Sequence, residues 1–323
     1  MDLVNKLMQE GHQCGMNWSG ALEPYEMPSG NDWKTQDTFM MERLGIDVVK
    51  KMRPGFIFAI FDRGADRQYS DFKSGMDNFF GIPGQGLLCD TVERSPRGCV
   101  ENIMYKVNVK FGGNNNQLTE NTLNSLKLLH RLFMVVGISL SHGKTKDDKA
   151  KCSYAGFVGS MDDSFLRWST ETASVVSNEA LLPDISGQME RLLQTYKENV
   201  GNFPEVMAVY RDGVTHTHEN ELHGNDILCL RKTFTKLGIT VELVLIVVNM
   251  MHRTRFFRKP NADSMGEPIY SKDNIPPGLI VDDVVVDPFG DDFYLASHRG
   301  LLGTSRPIRY HILNQRRYDQ HYA

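Results

Sequence analysis

The chain has 323 residues, with 36 Lys and Arg against 40 Asp and Glu and a formal net charge of −4. That length leaves room for two domains with separate cores, and the balance means that any polyanion site must be a local pocket, since a protein held on nucleic acid by charge alone is basic. Five cysteines without a Cys-x-x-Cys pair argue against a zinc or disulfide framework, no apolar run is long enough to span a bilayer, and Met1-Asp2-Leu3-Val4-Asn5-Lys6 is not a secretory leader.

Residues 1–53 read as a lead-in. They hold one loose helical pattern, Asp37–Met52, broken by Gly45. Phe56–Phe61 is wholly apolar between Pro54-Gly55 and Asp62-Arg63-Gly64, which predicts a buried parallel strand. The polar stretch after it predicts a helix over Ser70–Asn78, with its N-terminus at the strand's carboxyl end, where open α/β sheets bind ligands. Gly-rich turns are expected at 81–86 and 112–113. Thr119–Phe133 reads as a helix with Leu123, Leu126, Leu129 and Leu132 on one face, and the domain boundary is expected within 112–133.

The second half has a clearer order. Met134–Leu140, Tyr154–Met161 and Phe165–Val176 read as strands, with a charged loop over Ser141–Cys152. Asp184 caps a helix bearing Ile185, Met189, Leu192, Leu193 and Tyr196 on one face. Val206–Tyr210 is a strand, Glu219–Leu237 a helix and Val241–Val248 a strand, and Leu279–Val286 and Asp292–Ser297 extend the sheet. The order β-β-β-α-β-α-β, antiparallel first and parallel last, is that of the ribonuclease H-like fold.

Two places can carry chemistry. Tyr69 and Lys73 are four apart, so a helix puts them on one face; Lys106 and Lys110 share a face of their own segment, and Gln85 follows a Gly-Ile-Pro-Gly stretch. A phenol, a carboxamide and several ammonium groups suit a terminal phosphate, which offers acceptors and no donor. The same residues also suit a solvated surface of mixed charge. The second place is the strand-end region of the ribonuclease H-like half, where carboxylates hold two metal ions in active members of that fold. Asp212 follows Val206–Tyr210 and Glu179 precedes the Asp184 helix, but the first strand offers Ser139 where a carboxylate is needed. A neutral hydroxyl cannot bridge hard dications.

Three patterns are set aside. Gly137 to Thr145 nearly spells a phosphate-binding loop, yet five residues separate its glycines where the motif needs four. His216, His218, His223 and His252 lack the carboxylate or cysteine spacing of a metal cluster, and Asp282-Asp283 and Asp291-Asp292 read as charged strand ends.

Several stretches resemble the MID and PIWI half of eukaryotic Argonaute/Piwi proteins, from about residue 50 to 315. They are Asn108-Val109-Lys110-Phe111-Gly112-Gly113-Asn114-Asn115, Val158 to Asp162, Tyr210-Arg211-Asp212-Gly213-Val214, His252-Arg253-Thr254-Arg255-Phe256-Phe257, Asp292-Phe293-Tyr294-Leu295, and Ser297 to Pro307. The resemblance implies an α/β protein: a lead-in over 1–50, a Rossmann-like MID domain over 51–130, and a ribonuclease H-like PIWI domain over 131–323, its mixed sheet flanked by helices. It implies that Tyr69, Lys73, Gln85, Lys106 and Lys110 hold the 5′-phosphate of a guide RNA, with the first base stacked on Tyr69. Guide and target then read each other by base pairing, and the protein contacts backbones.

Active members cut with an Asp-Glu-Asp-His tetrad. Here Ser139 stands at the first Asp position, Glu179 is the candidate for the Glu, and Asp212 matches the second Asp and is the candidate metal ligand. The family's His, and an Arg that closes the phosphate pocket, belong to a segment beyond Ala323, so a truncated PIWI domain is expected. The expectation is a non-cutting protein in gene silencing, needing no cofactor, with magnesium not supporting cleavage. Its partners would be guide RNA, target RNA and silencing-complex proteins, in the cytoplasm or nucleus and not on a membrane. The rival readings are a metal-dependent ribonuclease using Asp212 and Glu179, and a relic without RNA activity.

Overall fold

The computed structural model describes residues 2–13, 15–16, 23–25, 48–94, 98–127, 131–142, 153–162, 164–175, 182, 184–212, 219–258, 274–288, 290–298 and 303–313. They fall into two units, Met1–Gln117 and Leu118–Ala323.

The first unit runs α1 (Asp2–Gln13), β1 (Ile57–Phe61), α2 (Asp66–Ser74), β2 (Gly84–Leu88), α3 (Cys89–Arg94) and α4 (Cys99–Lys110). Of the pattern expected over Asp37–Met52, only 48–52 is described; it is helical and buries Val48. The strands pair in parallel, with Ile57 opposite Gly84 and Phe61 opposite Leu88. Alternation along β1 divides its side chains between two cores. Ile57, Ala59 and Phe61 pack with Phe72 and Met76. Phe58 and Leu87 pack with Ile103, Met104 and Val107 of α4 and Leu7 of α1.

α2 continues as a π-helical turn, Gly75–Phe80, and stops at Gly81, whose φ of 63° is left-handed. The stretch 81–86, expected as a turn, is irregular only as far as Pro83. The Pro83 carbonyl accepts from the Ile57 N–H at 3.1 Å, and β2 starts at the next residue, so Gln85 lies on a strand. Gly84 and Gly86 let α2 lie close to β2. A Cβ on Gly84 would stand 2.8 Å from Phe72 Cζ, and one on Gly86 would stand 2.7 Å from Tyr69 Cε2.

The second unit opens with α5 (Glu120–Lys127), which is shorter than the helix expected over Thr119–Phe133. Phe133 belongs instead to β3 (Phe133–His142). The reason is tertiary: the Leu132 carbonyl accepts the N–H groups of Glu205 and Val206, and parallel pairing with β6 begins at Phe133–Val206. Next come β4 (Ser153–Ser160), β5 (Trp168–Val175), α6 (Ser186–Val200), β6 (Val206–Asp212), α7 (Glu219–Leu237) and β7 (Glu242–Asn249). β8 (Leu279–Val281), β9 (Asp291–Ala296) and β10 (Ile308–Leu313) complete one sheet ordered β5-β4-β3-β6-β7-β10-β9-β8.

β3, β4 and β5 are antiparallel, whereas β3, β6 and β7 are parallel. The sheet is therefore the ribonuclease H-like arrangement expected from the element order. α6 and α7 cover one face, placing Met189, Leu192, Leu193, Tyr196 and Leu230 against Val136, Phe157, Val209 and Leu245. β10, which the sequence reading did not anticipate, joins β7 to β9. β8 is shorter than expected, because the chain turns beyond it through Val284 at a φ of 65°. Gly137 to His142 lies within β3, so the near-match to a phosphate-binding loop begins inside a strand.

Candidate functional site

Helix α2 presents Tyr69 and Lys73 one turn apart, as their spacing requires. The Tyr69 ring meets Phe61 edge-on, with centroids 5.8 Å apart, and lies over Gly86, where the missing Cβ makes its seat. The tyrosine remains 45% exposed, leaving it able to take a planar group.

Lys106 and Lys110 also lie one turn apart, on the exposed side of α4, because the helix turns Ile103, Met104 and Val107 inward. The residues after α4 fix its end. The Phe111 ring stacks on Phe56 at 5.2 Å, Asn108 Nδ2 donates to Asn115 Oδ1, and Asn115 Nδ2 donates to the Tyr105 carbonyl. This loop returns against the last turn of the helix.

Lys110 Nζ then reaches β2, donating to the Gly84 carbonyl and, at 3.0 Å, to Gln85 Oε1. Gln85 Nε2 donates to the Gly86 carbonyl at 2.8 Å, so the carboxamide is oriented. Desolvation, followed by repulsion from Lys73 and Lys106, pulls the Lys110 ammonium below its ordinary range, while Asp77 pushes it back up. Those influences place all three lysines in one field. Lys73 itself pairs with Asp77, at 2.9 Å and 3.2 Å to the two carboxylate oxygens. The fold thus joins Lys110 directly to Gln85, lets Lys73 and Lys106 act on the Lys110 ammonium through their charge, and seats Tyr69 on the same strand. Gly86 and Asp77 are members that the sequence reading passed over. Asp77 had a signal in its place four residues after Lys73.

In the second unit, Ser139 and Asp212 stand on the neighbouring parallel strands β3 and β6, and Ser139 Oγ donates to Asp212 Oδ2 at 3.4 Å. Glu179 lies outside the described residues. Among the described residues, no three His, Cys, Asp or Glu side chains gather to hold a metal ion. One carboxylate and one hydroxyl do not supply the anionic oxygens that two hard dications share. The described residues therefore do not fit the metal pair of active ribonuclease H-like sites.

Neighbouring charges in this unit are paired internally. Arg211 is fully buried, with Nε 3.2 Å from Asp226 Oδ2 and Nη1 donating to the Asp212 carbonyl at 2.6 Å. Burial raises the Asp226 carboxyl against the pull of Arg211. Asp292, expected as a charged strand end, is instead buried in β9, where it takes Arg309 and His311 of β10. Burial pushes its pKa up, but those two partners hold it below the ordinary carboxylate value. His252, as the Nε2–H tautomer, donates to the Pro307 carbonyl at 2.8 Å, and burial lowers its pKa. His216 and His218 lie outside the described residues.

Residues 56–318 match the Piwi domain family. The putative protein tag-76 of Caenorhabditis elegans is 31% identical over 252 residues, covering 76% of this chain and 24% of that protein. Protein argonaute 7 of Oryza sativa subsp. japonica is 29% identical over 250 residues, with the same coverage of each. The chain thus spans 24% of the length of either curated relative. Among solved structures, Kluyveromyces polysporus Argonaute with a guide RNA aligns at a TM-score of 0.78 and 22% identity, over 97% of this chain and 39% of that one. The C-terminal lobe of a budding yeast Argonaute aligns at 0.77 and 22% identity, over 97% and 65% of the two chains. At that identity the likeness speaks for the fold.

Proposed function

The chain belongs to the Argonaute/Piwi family, and from that premise we propose that it binds the 5′-phosphate of a guide RNA through Tyr69, Lys73, Gln85, Lys106 and Lys110. The observation that carries the reading is the anchoring of Lys110 on β2 through Gly84 and Gln85, and the repulsion that Lys73 and Lys106 exert on its ammonium supports it. Each side chain has a role suited to its chemistry. The lysines neutralise the phosphate oxygens, the Gln85 carboxamide supplies a neutral N–H donor, and the Tyr69 ring supports the first base. The rest of the RNA is recognised by its pairing to a target, and the protein acts in gene silencing through partner proteins, in the cytoplasm or nucleus. It does so without cutting, because Ser139 stands where a carboxylate is required.

Titration of the full chain with one RNA, bearing either a 5′-phosphate or a 5′-hydroxyl, tests the binding. The phosphorylated form should bind more tightly, and the double substitution Lys73→Ala plus Lys110→Ala should weaken it by roughly 100-fold or more, taking 1.5–3 kcal/mol for each charged hydrogen bond. Equal affinities for the two RNAs would overturn the reading.

The ribonuclease H-like sheet, with Asp212 at a strand end, favours a second reading as a metal-dependent ribonuclease acting through Asp212 and Glu179. A guided cleavage assay with magnesium and manganese separates the two. A cut abolished by Asp212→Ala would establish the second.

A further inference from the structure

The pocket contains a carboxylate that a simple anion site would exclude. Asp77 lies four residues after Lys73, at the start of the π-helical turn Gly75–Phe80, and holds the Lys73 ammonium with both oxygens. It also acts on Lys110, opposing the repulsion that Lys73 and Lys106 exert there. Taken by themselves, these three lysines and one aspartate carry a formal charge of +2. A phosphate monoester carries about −1.5 to −2 at neutral pH, which that charge balances. Each further phosphoryl group adds negative charge beyond what these four side chains balance.

We propose that Asp77 is the specificity-determining residue of the pocket, setting a preference for a 5′-monophosphate over a 5′-triphosphate on the bound RNA. The proposal rests on the phosphate-site reading above. Asp77 stays as the counter-charge that limits how much anion the three lysines accept. It also orders the Lys73 head before the ligand arrives, so neutralising it changes selectivity for terminal charge more than affinity for a single phosphate.

The test uses the full 323-residue chain and one RNA sequence carrying a 5′-hydroxyl, a 5′-monophosphate or a 5′-triphosphate, with affinities measured at fixed ionic strength. The native chain should bind the monophosphate most tightly. Asp77→Asn should move the ratio of triphosphate to monophosphate affinity toward the triphosphate by about fivefold, the effect of one charge acting on two more at a screened distance. Asp77→Glu, which keeps the charge, should restore the native ratio. Asp77→Ser serves as a second neutral variant, and folding of each is checked by its melting curve.

A native chain that binds monophosphate and hydroxyl ends equally would remove the phosphate site itself. A native chain that prefers the phosphate, with neutral variants that keep the native ratio, would overturn the role of Asp77 and leave the site standing. A shift caused equally by Asp77→Glu would also overturn it, because charge would then not be the cause.

Discussion

The two units gather charge in different ways. In the first, Lys73, Lys106 and Lys110 share a field with one carboxylate, Asp77, and their heads lie at or near the surface. In the second, buried charge is matched within the fold: Arg211 against Asp226, and Arg309 with His311 against Asp292. A matched buried pair completes its own electrostatics and serves the fold. An excess of one sign is left for a ligand to complete, and the proposed binding role of the first unit rests on that difference.

The largest effect that tests this contrast is on stability. Asp226→Ala takes the Asp226 carboxylate away from the buried Arg211 guanidinium and should cost about 3–5 kcal/mol in chemical denaturation. Lys73→Ala removes a pair in which Asp77 is exposed and should cost at most about 1 kcal/mol. If the two costs were comparable, the division between structural and ligand-facing charge would fail.

The next effect separates the base support proposed for Tyr69 from the phosphate contacts proposed for the lysines and Gln85. Gly86→Ala puts a methyl group 2.7 Å from Tyr69 Cε2 and 2.9 Å from Cδ2, so the ring must leave its seat on β2. Tyr69 is partly exposed and can move, so the fold should survive. Losing one stacked base should weaken RNA binding roughly tenfold, within the 1–3 kcal/mol range of base–aromatic contacts. The ratio of 5′-phosphate to 5′-hydroxyl affinity should stay as in the native chain, because Lys73, Gln85 and Lys110 are untouched. A collapse of that ratio would make the ring and the lysines one device.

The legible parts of this molecule are those whose signals are local. Helical spacing puts Tyr69 with Lys73 on α2, and the apolar run at Phe56–Phe61 marks the strand β1 before it. The element order of the second half was read closely enough to give its sheet. Features set by distant partners were not visible. The helical spacing of Leu123 to Leu132 predicts a helix that includes Phe133, yet pairing to Val206 draws it into β3. β10 escaped because Ile308–Leu313 mixes Arg309 and His311 with apolar residues, and only Asp292 on β9 explains how such a strand is buried. Gly86 falls in a stretch whose glycines predict a turn, since nothing near it in sequence says that a tyrosine seventeen positions earlier will lie on its backbone.

The smallest effect concerns the strand end of the second unit, which lacks the excess charge of the pocket. Ser139 is exposed and donates to Asp212 across neighbouring parallel strands. Ser139→Asp replaces that donor with a second carboxylate beside the first. Without divalent ions the two should repel and cost about 1 kcal/mol, lowering the melting temperature by roughly 2–4 °C for a unit of this size. Manganese or magnesium at millimolar concentration should recover the loss in the variant, because two adjacent carboxylates can share a dication. The native chain should melt at the same temperature with the ion and with a chelator. A native melting temperature that rises with magnesium as far as the variant's would mean that the strand end already holds a dication through ligands besides Ser139. The second unit would then carry an unbalanced site of its own, of negative sign, and the contrast between the units would become one between two binding sites of opposite charge.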